Sequence, residues 1–338
     1  MTSASAEGTP GAEQDVGEVL RTAGRRSEPP EELLRSVRAS VEAEWREVVS
    51  RRTRRRRIGL SLAAAIALAA VGLWSARPWL MGPGRKMADV QIALGSVQAR
   101  AGWLESWQPV GPRSALRAGE ELATAADGRV AMGLAEGVSV RLDHDTRIRL
   151  LDEGRISVLH GALYVDSGSP APAARSSLLI VTPAGEIHHL GTQYEARIVG
   201  SEVQIAVREG KVELDTSTGA AHRAVAGEQM TITSAGSLVR SAVSPYDERW
   251  QWVSATAPPF NIDGRPVADF LTWAARESGR DLVYADAPTR AEAERVRLNG
   301  SIAGLSPEEA LAAVLPTTPL RTEMSSGHLV VSLSSASQ

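Results

Sequence analysis

DGRVAMGLAEGVSVRLDHDTRIRL, residues 127–150, decides the fold. Large apolar residues fall at every second position along 130–134 and again along 138–142, and a two-residue period puts every second side chain on the same face of a strand. Asp127-Gly128 reads as a hairpin turn ahead of the first run. The pattern continues outward: 156–159, 162–165, 178–181, 203–207 and 212–214 are further short strands, with reversals at Pro183-Ala184-Gly185 and Glu209-Gly210. So many strands with so little helical period predict a mainly β domain over 95–243, built as a roll, sandwich or solenoid.

Towards the C-terminus the character changes. A Pro-containing linker is expected over 244–259, then a small α+β module over 260–333. Its strands read at 260–262, 281–284 and 296–302, its helices at VADFLTWAARES and at 310–315, and its closing hairpin at 320–333. Ser306-Pro307-Glu308-Glu309 is a capping box with proline in the first turn, since the serine and glutamate satisfy each other's free backbone donors.

Towards the N-terminus, 77–94 reads as a linker and IGLSLAAAIALAAVGLWSA, residues 58–76, as a transmembrane helix. That stretch carries no charge, and at a rise of 1.5 Å per residue it spans about 28 Å, close to the hydrocarbon thickness. RRTRRRR stands against one end, with Arg51, Arg52, Arg54, Arg55, Arg56 and Arg57. By the positive-inside rule this sets the N-terminus in the cytoplasm and the larger C-terminal part outside it.

The cytoplasmic part divides in two. Residues 1–28 are rich in small and polar types and cannot bury enough surface to offset chain entropy, so they read as disordered. Over 29–57 an amphipathic helix is expected, opened by Pro29, Pro30, Glu31 and Glu32. Leu34, Val37, Val41, Trp45 and Val48 recur at steps of three and four, forming a single apolar stripe. Nothing local covers it, which leaves a partner protein, a second copy of the chain, or the lipid surface as its cover.

Composition removes several classes. The net charge is −3, with no global basic field for nucleic acid. No cysteine is present, which excludes disulfides, thiolate metal sites and a cysteine nucleophile together. His188 and His189 are adjacent on an expected strand and therefore point to opposite faces, a poor start for a metal site. Asp143, His144 and Asp145 beside Ser139 carry the residue types of a hydrolase, but adjacency does not make a triad, whose members must converge in space. No enzyme and no cofactor is expected.

The order of phrases also resembles the FecR family. It runs from Gly95-Ser96-Val97 through LRAGEELAT (116–124), the opening stretch, HGALYVDSG (160–168), VTPAGEIHHLGTQYEARI (181–198) and VREGKVEL (207–214) to AGEQMTI (226–232). The resemblance implies a FecR-type β domain in which Gly119, Thr124, Asp127, Gly128, Gly161, Gly191, Thr192, Gly210 and Gly227 hold fold-defining positions. NGSIAGLSPEEALAAVL (299–315) is similar to the short N-terminal domain of secretins and TonB-linked receptors, which implies docking to another envelope protein. Together these imply an inner-membrane sensor, periplasmic on its C-terminal side, whose cytoplasmic helix binds an extracytoplasmic-function sigma factor. A periplasmic or outer-membrane receptor is an implied partner, and homo-oligomers fit the same layout. The tail departs from the family in lacking its longer helical domain with Trp-rich phrases. The other reading of the same architecture is an envelope scaffold that binds cell-wall polymer or an outer-membrane complex.

Overall fold

The computed structural model describes residues 30–32, 35–41, 84–102, 104–152, 154–168, 178–233 and 236–334, and leaves the side chains of Glu136 and Leu190 undescribed. The chain divides into two compact units, Met1–Gly82 and Pro83–Gln338. In the first, 31–32 and 35–41 are helical. Arg35 reaches back one turn to Glu31 at 2.9 Å. No helix among the described residues is long and apolar enough to cross a membrane. The expected span at 58–76 and its arginine run lie outside the described residues.

The second unit begins with fifteen strands: β1 Lys86–Leu94, β2 Val97–Arg100, β3 Gln108–Pro109, β4 Ala115–Arg117, β5 Glu121–Thr124, β6 Arg129–Leu134, β7 Ser139–Leu142, β8 Arg147–Asp152, β9 Arg155–Asp166, β10 Leu179–Thr182, β11 Gly185–Val199, β12 Glu202–Thr216, β13 Ala221–Val225, β14 Glu228–Ile232 and β15 Leu238–Ala242. They form a single hydrogen-bonded sheet whose main path runs β15-β14-β12-β11-β10-β9-β7-β6-β1-β4. The second half of 77–94, read from the sequence as linker, is therefore a strand: Val90 and Ala88 are buried, and β1 pairs with β6 and β4.

Three long strands organise the sheet, and each bends at a glycine with positive φ: Gly161 in β9, Gly191 in β11 and Gly210 in β12. Before its bend β9 pairs with β8 and β10; after it, with β7 and β11. In the same way β12 pairs with β14 before Gly210 and with β13 after it. A residue in this conformation interrupts the pleat and turns the strand, which lets one strand serve two parts of a curved sheet. The runs 156–159 and 162–165 are thus halves of one strand, as are 203–207 and 212–214. Glu209-Gly210 is a bulge rather than a reversal. Asp127-Gly128 is a turn but closes no hairpin, because β5 pairs with β2 and β8 while β6 pairs with β1 and β7. Instead Asp127 accepts a hydrogen bond from the Ser96 amide at 3.3 Å. Pro183-Ala184-Gly185 does close a hairpin, with Thr182 opposite Gly185.

The inward faces of these strands build one apolar core, including Leu122, Met132, Leu142, Ile156, Ile180 and Ile205. His189 is buried at its margin, with its ring 5.4 Å from that of Tyr194, while His188 on the opposite face lies 3.3 Å from Asp215. Burial pushes the His189 pKa down to about 4, with the Leu178 backbone opposing that shift. The unfolded chain therefore binds a proton there that the folded chain does not, and stability is lost as pH falls from about 6.5 through 4. The expected loss at pH 4 is about 3 kcal/mol. Urea titrations at pH 7 and pH 4 check it, and His189→Leu should remove that part of the pH dependence.

After β15 only the ends of the expected linker 244–259, residues 244–247 and those from Thr256, are without helix or strand. A turn of 3-10 helix over Glu248–Trp250 and a short helix α1, Gln251–Ala255, lie on the sheet because Trp250, Trp252 and Val253 cover Tyr164, Ala162 and Ala206. The module that follows contains α2 Val267–Ser278, β16 Asp281–Tyr284, α3 Ala287–Arg295, α4 Pro307–Val314, β17 Leu320–Ser325 and β18 His328–Leu333, with the strands ordered β16-β18-β17. Ser306 and Glu309 form the expected capping box. The segments 260–262 and 296–302 are not strands: an isolated bridge between Pro266 and Arg297 is the pairing found there. Their apolar residues cap the module core instead, with Ile262, Leu298 and Ile302 buried in it. Helix α3 was not legible, because it buries Thr289 and Ala293 without a continuous apolar stripe; Asp286 caps it, accepting from the Thr289 amide at 2.7 Å.

Candidate functional site

Two features qualify as sites. The first is the N-terminal helix, where Val37 and Val41 are 53% and 57% exposed on the expected stripe. Leu34, Trp45 and Val48 of that stripe, and Arg51, Arg52, Arg54, Arg55, Arg56 and Arg57 beyond it, lie outside the described residues.

The second is a polar seat on the outer face of the sheet, and the strand register explains it. Arg141 lies opposite Tyr164, Tyr164 opposite Glu195, and Glu195 opposite Ala206, so these four form one row across β7, β9, β11 and β12. The next row sets Ser139 beside Asp166, Gln193 and Glu209. Their strand neighbours Val140, Leu163, Val165, Tyr194 and Val207 point into the core. This outer face would normally meet water, but α1 and the end of α2 roof it.

Helix α2 ends on Arg276, Glu277 and Ser278, with Gly279 in the left-handed conformation as its cap. Arg141, fully buried, donates both terminal nitrogens to the Glu277 carboxylate at 2.8 and 2.9 Å and one of them also to the Val253 carbonyl at 2.8 Å. Arg208 donates to the carbonyls of Pro245 at 2.6 Å and Glu277 at 3.0 Å. Arg276 donates to Asp166 at 2.5 Å and to Glu209 at 2.6 Å, and Gln193 donates to the other Asp166 oxygen at 3.0 Å. A second group ties α1 down: Glu195 accepts from Arg249 at 2.8 Å, Arg197 at 3.0 Å and the Trp252 indole at 3.1 Å.

The electrostatics follow the geometry. Burial disfavours the charge on Arg141, but the Glu277 carboxylate beside it more than compensates and raises its pKa above the ordinary value. Burial likewise opposes ionisation of Asp166, and Arg276 with Gln193 overcomes it, holding the carboxyl below the usual range. Asp143 gives its oxygens to Arg129 at 3.0 Å and Arg197 at 2.9 Å, so the Asp143-His144-Asp145 run contributes a structural ion pair.

The family-resembling positions are spread over the sheet rather than gathered in the seat. Thr124 donates to the Asp143 carbonyl at 2.6 Å and accepts from the Thr146 amide at 2.9 Å. Thr192 exchanges bonds with Ser167. Gly119 donates to the Leu150 carbonyl, Gly128 to that of Ala125 and Gly227 to that of Val207. Asp127 holds the Ser96 turn, and Gly161, Gly191 and Gly210 mark the three bends. Sequence reasoning missed the seat itself. Its signal was the recurrence of Arg141, Tyr164, Glu195 and Arg208 at the outward positions of strands otherwise rich in valine.

The fold and the seat together define a mainly β domain that carries its own α+β module on a buried ion network. Residues 120–213, which include β5 to β11 and the bends of all three long strands, match the family model described as FecR protein. The β domain is thus similar to FecR proteins over that stretch, which is less than half of the chain. Two crystal structures of a candidate anti-sigma factor from Parabacteroides distasonis, at 2.50 and 1.65 Å resolution, are similar at 16% identity and a TM-score of 0.34. They cover 64% and 62% of this chain and 99% and 97% of their own. No curated protein matches the sequence.

Proposed function

We propose that this protein regulates an extracytoplasmic-function sigma factor from the inner membrane. In this reading 58–76 spans the bilayer once, the N-terminal helix is cytoplasmic, and the β domain and its module sense an envelope signal on the periplasmic side. The FecR match supports the regulatory role. The observation that carries the mechanism is the apolar stripe, whose described members Val37 and Val41 are exposed to water. An exposed stripe on a helix is stabilised by entering an apolar groove, and in this reading the sigma factor supplies it. No catalytic step is assigned to the chain, and the C-terminal module is read as the contact for a periplasmic or outer-membrane partner.

Full-length protein in detergent should retain its cognate sigma factor on an affinity resin. Trp45→Asp or Leu34→Asp should reduce capture by about 100-fold or more, since each places a charge in the centre of a desolvated contact. Neither change should affect membrane insertion. Failure of the unaltered protein to retain any sigma factor of its own organism would remove the regulatory reading and leave the envelope scaffold.

A further inference from the structure

We infer that the end of α2 and its seat form a latch, from which the C-terminal module can undock as a rigid body. The inference deepens the regulatory reading and rests on it for its biological use, because a partner that seized the module would then be coupled to the β domain through this contact.

Three observations carry it. First, the apolar clusters do not cross the junction. One belongs to the sheet, one to the module, and the third joins only the sheet to Trp250, Trp252 and Val253 of the tether. Each body therefore keeps its core closed when the two part. Second, the contact is mostly polar: Arg141, Arg208 and Ser254 on Glu277, Asp166 and Glu209 on Arg276, with the Arg280 guanidinium over the Tyr246 ring at 5.8 Å beside them. Such groups recover hydration when exposed, whereas a separated apolar interface cannot. Third, the chain between Thr256 and Ile262 has no helix or strand, which leaves a hinge after a tether that is anchored to the sheet by Trp252 and Glu195.

The latch also has an uncharged lever. Gly279 caps α2 at φ +66°, and a Cβ there would lie 2.1 Å from the Pro245 carbonyl oxygen and 2.4 Å from Arg208 Nε. A methyl group at this point pushes helix and seat apart without removing a charge and without entering either core.

The natural chain has no cysteine, so Ser201→Cys and Ser301→Cys, one exposed position on each body, can carry a unique pair of spin labels on the full-length protein. Unaltered protein should give one distance. Gly279→Ala and, separately, Glu277→Gln should each add a longer distance and raise the undocked fraction by about tenfold or more. Hydrogen exchange decides between undocking and unfolding: amides of β17 and β18, and those of α2 that bond within the helix, should stay protected in both variants. A single unchanged distance in both folded variants overturns the latch. So does a longer distance that comes with loss of β17 and β18 protection, because the seat would then be part of the module's own stability. Sigma-factor capture is a separate readout, so neither result is confused with failure of the regulatory reading.

Discussion

Arg141→Ala is expected to cost about 3–5 kcal/mol of coupling between the β domain and its module, enough to split their unfolding in urea into two transitions. The size of the effect comes from what the substitution leaves behind. Glu277 keeps its charge in a buried position after losing two hydrogen bonds, the Val253 carbonyl loses its donor, and the Tyr164 ring loses the guanidinium over its face at 5.4 Å. An unpaired buried carboxylate costs more than the intact pair contributes. The sharper form of the experiment is therefore a double-mutant cycle. Arg141→Met combined with Glu277→Leu should recover most of the loss, because two apolar side chains leave no buried charge behind. If the double variant is as weak as Arg141→Ala alone, the loss comes from packing or from the Val253 contact and not from the stranded carboxylate.

Gly161→Ala should lower the stability of the β domain by about 3–4 kcal/mol, while Gly119→Ala should cost only about 1 kcal/mol. Both glycines have left-handed backbones, at φ +87° and +90°, so the conformational penalty is shared. They differ in surroundings. A Cβ on Gly119 meets nothing within 4 Å, whereas one on Gly161 would lie 2.6 Å from the Asp145 carbonyl oxygen and 2.6 Å from Thr146 Cα. Those are backbone atoms of the chain that leads into β8, and they can yield only if the β8–β9 pairing opens. Thermal or urea unfolding of the two variants side by side checks the contrast, and equal losses would mean that the bend, and not the close approach, sets the requirement for glycine.

Much of the fold was legible because strand and helix periods are local. The alternation around Val130 and Val140, the helix VADFLTWAARES and the Ser306 capping box each need only a few neighbouring residues to be read. The errors share one cause. At Gly161 and Gly210 a glycine after a short apolar run looks like the end of a strand, and only the partners on each side show that the strand continues through a bend. At Asp127-Gly128 the turn residues are right, but a local signal does not say which strands will pair. The segment after β15 looked like linker because its two prolines at 258 and 259 dominate the reading, while Trp250 and Trp252 find their partner Tyr164 across the sheet.

By itself the sequence determined the class of each part: a β domain with FecR-type phrases, a small α+β module, a charge-free stretch behind an arginine run, and an amphipathic stripe in the tail. Only the tertiary structure decided that Arg141, Asp166, Glu195 and Arg208 form a seat and that Arg276 and Glu277 occupy it. The physical reason is range. Periodicity and capping act over a few residues, but whether an outward charge meets water or an opposite charge depends on a segment more than a hundred positions away, as with Arg141 and Glu277.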